Sequence, residues 1–530
     1  MELYPEFYND VFGPIMQPGS SSHMAGPCRV TWLCNSLLGE EVADIRIELD
    51  KDGSLAGTMG TMNEDYGLYN GAMGRSVSDP DFFDIFDTMK AKGVHYEIVF
   101  GSMKESDHAN AIKCVLTGRS GKKVSLVGNS IGGGMAETVW VDGYRFSDKG
   151  DTWVLCVFDA DNSLDGAALT AAAEKYQGVL SHGTGEGREG GTLYWYKISE
   201  APSEEMKKVL GNAKWGVLKP LLPVPTTVDK KPQLFDTMTE WRRLADEQGK
   251  TMAEVAIDYE VAASGWSREE VIEYMREKVQ KTLHRRVYAV ANKEVEVPEK
   301  PFFSPTWKLW GENMADAKLV KGMFAKTLYY VFSARVAVPG VLNVPGPQGN
   351  GGGFMAGVLY SVMEELGLSD EDMLRGLFVA AGVGAICYTR TAPTGEVIGC
   401  AGECGICSAM TAAALAEMLH GTTQQVENAA SFALQATVGW PCDIIPGGMG
   451  MPCASRIMHM AIMSITYAQF ALVGEDPILP FHEVVDVADK VGKMYPANTH
   501  CTGVGGLCMA PTAKECGEKL RAWREANQNK

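Results

Sequence analysis

The rhythm of apolar and polar positions changes along the chain. Up to about residue 150, short β-branched runs such as Val94–Phe100, Lys123–Val127 and Thr138–Val141 are punctuated by Gly, Asn, Asp and Ser, the pattern of strands between turns. From 151 to 200, Thr152–Phe158 reads as a strand, Leu164–Tyr176 as a helix and Thr192–Ile198 as a returning strand. Pro202, Pro220, Pro223, Pro225 and Pro232 mark 201–232 as a linker by composition. From 233 to 530 the period is helical almost throughout. Thr422 and Gln425 make a capping box. Segments 406–420 and 453–474 are apolar on nearly all sides, which predicts buried central helices. The expected class is α+β: a mixed α/β domain over 1–150, a small α/β unit over 151–200, and an all-helical domain over 233–530.

Composition narrows the function. With 48 basic and 66 acidic residues, the formal charge of −18 opposes non-specific binding to nucleic acid or an anionic membrane. Thirteen cysteines in 530 residues are too sparse for a disulfide scaffold, yet seven fall between Cys387 and Cys501. The opening MELYPEFYND lacks a basic segment followed by an apolar core, and the apolar run Leu377–Tyr388 is short for a bilayer span. These features predict a reduced, cytoplasmic protein whose cysteines are buried thiols or metal ligands.

Two motifs have plain readings. Gly185-x-Gly187-x-x-Gly190 matches a dinucleotide fingerprint, but it carries Glu186 and Glu189 and leads into a β-like run, so it reads as a hairpin loop. Cys400-x3-Cys404-x2-Cys407 has the spacing used by radical S-adenosylmethionine enzymes. Those enzymes place it after the first strand of a barrel, whereas here it precedes the Ala-rich run Ser408–Met418. A wider pattern is more informative. Glu396-Val-Ile-Gly-Cys400-Ala-Gly-Glu403 is followed 42 residues on by Cys442, and Cys453 closes the box Pro441-Cys442-Asp443-Ile-Ile-Pro-Gly447-Gly448-Met-Gly-Met-Pro452-Cys453. Glycines let such a loop wrap an inorganic core, and a helix start offers amides to its negative charge.

These boxes and their separations resemble the α region of the iron–sulfur-dependent L-serine dehydratases. Pro18-Gly19-Ser20-Ser21-Ser22-His23 is similar to the serine–histidine box that opens that family's β region. Asp107-His108-Ala109-Asn110 resembles its His-Pro-Asn element, and Ser130-Ile131-Gly132-Gly133-Gly134 its SxGGG element. The strand–helix–strand order of 151–200 also resembles ligand-sensing ACT units. The family resemblance implies a [4Fe–4S] cluster on Cys400, Cys442 and Cys453, with one iron free to act as a Lewis acid. It implies a small 2-amino acid substrate, L-serine by default, and a homodimer. Ser20, Ser21 and Ser22 would hold the substrate carboxylate together with the Gly-rich loop Gln348, Asn350, Gly351 and Gly352.

Three departures qualify this expectation. Met62 stands where the family carries a second histidine, and a thioether cannot move a proton. His23, His108, Glu64 or Asp65 must then serve as acid or base. Gln348 replaces a hydroxyl in the substrate loop, and Met314-Ala-Asp-Ala317 replaces a Gly-Gly-Asp-Ala box. The competing readings are a cysteine desulfidase or a lyase for another β-substituted acid, a non-catalytic amino-acid sensor, and a radical enzyme using Cys400, Cys404 and Cys407.

Overall fold

The β-branched runs near the N-terminus pair into one six-stranded sheet. In chain order its strands are β1 (Val42–Asp50), β2 (His95–Gly101), β3 (Ala111–Gly118), β4 (Lys123–Gly132), β5 (Met135–Val141) and β6 (Tyr144–Asp148). They lie in the order β2-β1-β3-β4-β5-β6; β1 and β2 are parallel and the remaining pairs antiparallel. The computed structural model describes residues 5–60, 62–225, 231–297, 305–345, 351–447 and 450–527. Contacts divide the chain into a sheet unit (Ser22–Ala56 and Asn63–Lys230) and a helical unit (Met1–Ser21, Gly57–Met62 and Lys231–Lys530).

In the sheet unit, helix Gly26–Leu38 starts with Pro27 in its first turn and ends at left-handed Gly39. Its buried Val30, Leu33, Cys34 and Leu37 face the sheet. The β4–β5 connection needs glycine, because Gly132, Gly133 and Gly134 all have positive φ.

The small α/β unit is larger than the sequence suggested. Strands β7 (Trp153–Asp159), β8 (Val179–Glu186), β9 (Thr192–Ile198) and β10 (Lys214–Leu218) form a second sheet, ordered β10-β7-β9-β8. With helices Gly166–Tyr176 and Glu204–Leu210 this is a complete βαββαβ unit. The expected linker over 201–232 is therefore corrected: Met206 and Leu210 join Leu155, Val157, Leu169 and Tyr196 in one apolar core. The Gly185–Gly190 motif lies in the β8–β9 connection, where Gly187 N–H donates to the Gly191 carbonyl at 3.1 Å.

In the helical unit, all thirteen residues of helix Ile406–Met418 are buried. The neighbouring helix Asp370–Arg390 is long and apolar enough to cross a membrane by length and composition, but 78% of its apolar window is buried. Both capping-box bonds between Thr422 and Gln425 form, ahead of helix Thr423–Gln435. The expectation for 453–474 needs correcting. Helix Cys453–Leu472 buries a stripe of small residues (Ala454, Ala461, Ser464, Ala468, Ala471), while Met458 and Phe470 stand 40% and 47% exposed.

Residues 5–21 fall with the helical unit rather than with the 1–150 domain read from the sequence. Phe7 stacks on Tyr259 at 5.2 Å, Tyr8 meets Tyr274 at 4.4 Å, and Phe7 N–H donates to the buried Glu260 carboxylate at 2.8 Å.

Candidate metal centre

The helical unit brings Cys400, Cys442 and Cys453 together from three separate turns. Cys400 precedes the turn Ala401–Gly405, and its N–H donates to the Trp440 carbonyl at 2.8 Å. Cys442 N–H donates to Thr499, and Cys501 N–H returns to the Cys442 carbonyl at 2.7 Å. Cys453 opens helix Cys453–Leu472, directly after Pro452. Two further thiols join them: Cys404 hydrogen-bonds Cys400, and Cys501 hydrogen-bonds Cys442. A Glu396 carboxylate oxygen lies within 4.8 Å of the Cys501 sulfur.

The electrostatics are mixed. The hydrogen bond with Cys404 lowers the Cys400 thiol against its burial, and the charge of Arg456 adds to that. Cys404, its partner in that bond, is raised well above the ordinary thiol range. The bond to Cys501, with burial, raises Cys442 in the same way. Burial, then the charge of Glu403, pushes Cys453 up to about 12. Arg456 ties the three segments together from one turn beyond Cys453. Its guanidinium hydrogen-bonds Cys400, donates to the Pro441 carbonyl at 2.9 Å and meets Asp443 at 2.8 Å. Gly395 leaves the room: a Cβ there would lie 2.9 Å from the Cys442 sulfur and 3.2 Å from Glu403. Buried sulfur donors beside guanidinium charge suit a thiophilic metal.

Two further cysteines of the helical unit bond other groups. Cys407 hydrogen-bonds Thr411 and the Met355 backbone, and Cys508 donates to the Ile444 carbonyl at 2.6 Å. The C-x3-C-x2-C spacing thus puts Cys404 beside Cys400 but turns Cys407 toward other partners.

The sheet unit holds a buried histidine network. His23 is 1% exposed; its Nδ1 lies 2.9 Å from Ser22 Oγ and its Nε2 2.9 Å from Ser54 Oγ. Ser130 Oγ donates to the Ser22 carbonyl at 2.6 Å, and Ser130 N–H to Asn110 at 3.1 Å. Ser54 N–H donates to Ala109 at 2.9 Å, while His108 Nδ1 accepts from Asn110 N–H at 3.1 Å. The serine–histidine box from Ser22, the Asp107–Asn110 element and the Ser130 element therefore form one network. Glu64 is fully buried and Asp65 partly buried, both in the first turn of helix Glu64–Ala72. Ser20 and Ser21 fall in the segment grouped with the helical unit. Gln348 and Asn350 lie outside the described residues, and Gly351 and Gly352 open helix Gly351–Leu366.

Sequence reasoning missed Cys501 and Arg456 as members of the cysteine centre. Cys501 arrives through a parallel bridge between Cys442 and His500, a long-range pairing that no local spacing encodes.

Residues 229–508 match the family model described as "Serine dehydratase alpha chain". The chain belongs to that family. Among relatives of the serine dehydratase alpha chain, it is 29% identical over 293 residues to "L-serine dehydratase, alpha chain" of Peptoniphilus asaccharolyticus, covering 54% of this chain and 97% of that protein. It is 34% identical over 174 residues to "Probable L-serine dehydratase, alpha chain" of Bacillus subtilis, covering 33% of this chain and 58% of the relative. With "L-serine dehydratase" of Streptomyces coelicolor it shares 27% identity over 290 residues, 53% of this chain and 62% of the other. The chain thus spans less than two thirds of the Bacillus and Streptomyces relatives and nearly all of the Peptoniphilus one.

Proposed function

We propose that this chain is an iron–sulfur ammonia-lyase that acts by β-elimination on a small 2-amino acid, with L-serine as the first substrate to test. The observation that carries the reading is the convergence of Cys400, Cys442 and Cys453, buried or half-buried, beside the Arg456 guanidinium. The names of its relatives support the same class. The three thiolates would hold a [4Fe–4S] cluster, which when bound supplies a Lewis acid at an iron without a protein sulfur.

The chain's own residues supply the rest. Arg456 offsets thiolate charge and fixes the turns that carry the ligands. His23, oriented by hydroxyls at both ring nitrogens, takes the Cα proton, and His108 is the second candidate for that role. Glu64 and Asp65 rank behind them. Ser20, Ser21 and Ser22 hold the substrate carboxylate, as the family resemblance implies. The free amides at the start of helix Gly351–Leu366 favour negative charge nearby. Elimination followed by hydrolysis yields a 2-oxo acid and ammonia.

Anaerobic reconstitution with iron and sulfide, read by Mössbauer spectroscopy, tests this. The expected result is a cluster with one distinct iron whose signal shifts with substrate, and pyruvate with ammonia from L-serine. Sulfide from L-cysteine in place of that activity makes the chain a desulfidase. A reconstituted chain with no cluster, or a cluster that survives loss of Cys442 or Cys453 but not of Cys407, sinks the reading.

A further inference from the structure

The six-stranded sheet ends differently on its two sides. At one end β6 runs on into the second sheet: Tyr144 bridges Gly187, and Arg188 N–H donates to the Gly143 carbonyl at 3.0 Å. At the other end β2 pairs with β1 alone, in unbroken parallel register from Asp44–His95 to Asp50–Gly101. Among the described residues no backbone hydrogen bond joins 95–100 to any other segment. Tyr96, Ile98 and Phe100 lie beside Ile45, Ile47 and Leu49 of β1 and so share their face. The β1 residues are at most 1% exposed, yet Tyr96 and Phe100 stand 39% and 48% exposed. The apolar face of the sheet therefore runs out to an open edge.

Open edges accept further strands, and proteins blunt them with lysine, proline, a bulge or a covering element. The strand His95-Tyr-Glu-Ile-Val-Phe-Gly101 has no lysine or proline, and its register with β1 has no bulge. Its polar side chains turn to β1: Glu97 pairs with Arg46, and His95 Nδ1 lies 2.6 Å from Asp44. Laid antiparallel on a second copy about a two-fold axis at Ile98, the strand is complementary to itself. Tyr96 then opposes Phe100, Ile98 its own copy, Glu97 Val99 and His95 Gly101, so no like charges meet. Centring the pair on Glu97 would set two carboxylates face to face, and centring it on Val99 would leave Tyr96 opposite Ser102.

We propose that β2 is the edge on which a second copy of this chain docks, joining two six-stranded sheets into one of twelve across a two-fold axis at Ile98. A homodimer is implied by the family resemblance alone; the face, register and symmetry come from β2. Main-chain hydrogen bonds supply the attachment, and the aromatic pairs fix the register. Each copy brings an aromatic group already assembled to the seam, with the Tyr69 and Tyr96 rings 4.9 Å apart and Phe86 beside them. Nothing in the pairing involves the cysteine centre, so it stands or falls apart from the lyase reading.

The test is sedimentation velocity of the full-length chain over a concentration series. The wild type should form a dimer. One double variant carries Tyr96→Lys and Phe100→Lys, the other Tyr96→Glu and Phe100→Glu. Each sets like charges opposite one another twice across the axis and should raise the dissociation constant at least about tenfold. Mixed, the two should form a heterodimer, because every lysine then opposes a glutamate; a purely structural effect of either substitution gives no such rescue. Ile98→Cys supplies a second measurement that keeps both aromatic residues. It should yield a disulfide-linked dimer when diamide takes the two thiol hydrogens, whereas Lys175→Cys, exposed on helix Gly166–Tyr176, should not. This cross-link decides the matter should the charged variants fail to fold. A wild type that stays monomeric, a charged variant that dimerises as the wild type does, a mixture of folded variants without heterodimer, or no cross-link at position 98 overturns the proposal.

Discussion

In the sheet unit the buried Asp148 carboxylate meets the Lys197 ammonium at 2.6 Å, with Asp151 at 3.6 Å. In the helical unit Glu260 is equally buried but accepts only backbone N–H groups, and its other oxygen has no partner among the described residues. Arg286, 5% exposed with its Nε unpartnered among the described residues, is a cationic counterpart in the same unit. In the sheet unit a serine hydroxyl also lies at each ring nitrogen of His23. The difference separates two uses of burial. One unit compensates its charges within itself and so reads as scaffold with an oriented imidazole. The other also pairs cations, as Arg456 with Asp443 at 2.8 Å, but gathers five thiols that suit a bound metal.

The largest effect that sharpens this contrast is metal loss. Cys400→Ala, Cys442→Ala or Cys453→Ala should each abolish iron retention after reconstitution, measured by iron and sulfide content. Cys407→Ala, whose sulfur faces Thr411 and Met355, should retain wild-type iron. In the sheet unit, Lys197→Met should cost about 3–5 kcal/mol, because it strands the buried Asp148 without its cation. Urea unfolding checks that value; a loss under about 1 kcal/mol would show that the pair behaves as a surface one.

These contrasts were unevenly legible in the sequence. Cys400, Cys442 and Cys453 were readable because each sits in a Gly- or Pro-rich box whose spacing is local. Helix Ile406–Met418 was readable because no polar face competes with burial. Cys453–Leu472 is also apolar, yet it buries Ile457, Met460 and a stripe of small residues while Met458 and Phe470 turn outward, which mean hydropathy does not register. Lys214–Leu218 was lost among prolines because five residues carry too little alternation to outweigh them. Arg286 gave no signal at all. Its burial rests on a bond to the Val341 carbonyl, 55 residues away in the chain, which no local pattern encodes.

Glu260 gives a smaller effect with a definite pH dependence. Burial first, then the charges of Glu6 and Asp10, raises its carboxyl well above the ordinary range. In the unfolded chain it ionises near about 4.3. The folded form therefore holds its proton to higher pH than the unfolded form, so this group's contribution is complete below about 4.3 and is lost as pH rises through the folded value. Glu260→Gln keeps an acceptor for Phe7 N–H and carries no charge. Its melting temperature should match wild type in acid and exceed it progressively toward neutral pH, by the equivalent of about 1–3 kcal/mol. A constant difference across the range would mean that the Glu260 carboxyl binds its proton equally well in the folded and unfolded chain.

The smallest expected effect tests the His23 network directly. Ser54→Ala removes the hydroxyl at His23 Nε2 and leaves Ser22 at Nδ1. One neutral hydrogen bond contributes about 1 kcal/mol, so the sheet unit should lose about that much stability. The functional consequence should be larger than the structural one, because the imidazole loses a hydroxyl that helps to fix its ring. If His23 moves the proton, kcat should fall several-fold with KM nearly unchanged, and the pH profile of kcat should shift with the altered imidazole. Ser22→Ala, acting at Nδ1, should displace the profile as well. A histidine that only fills the core predicts the other pattern: the same small loss of stability, and a pH profile of kcat that neither substitution moves.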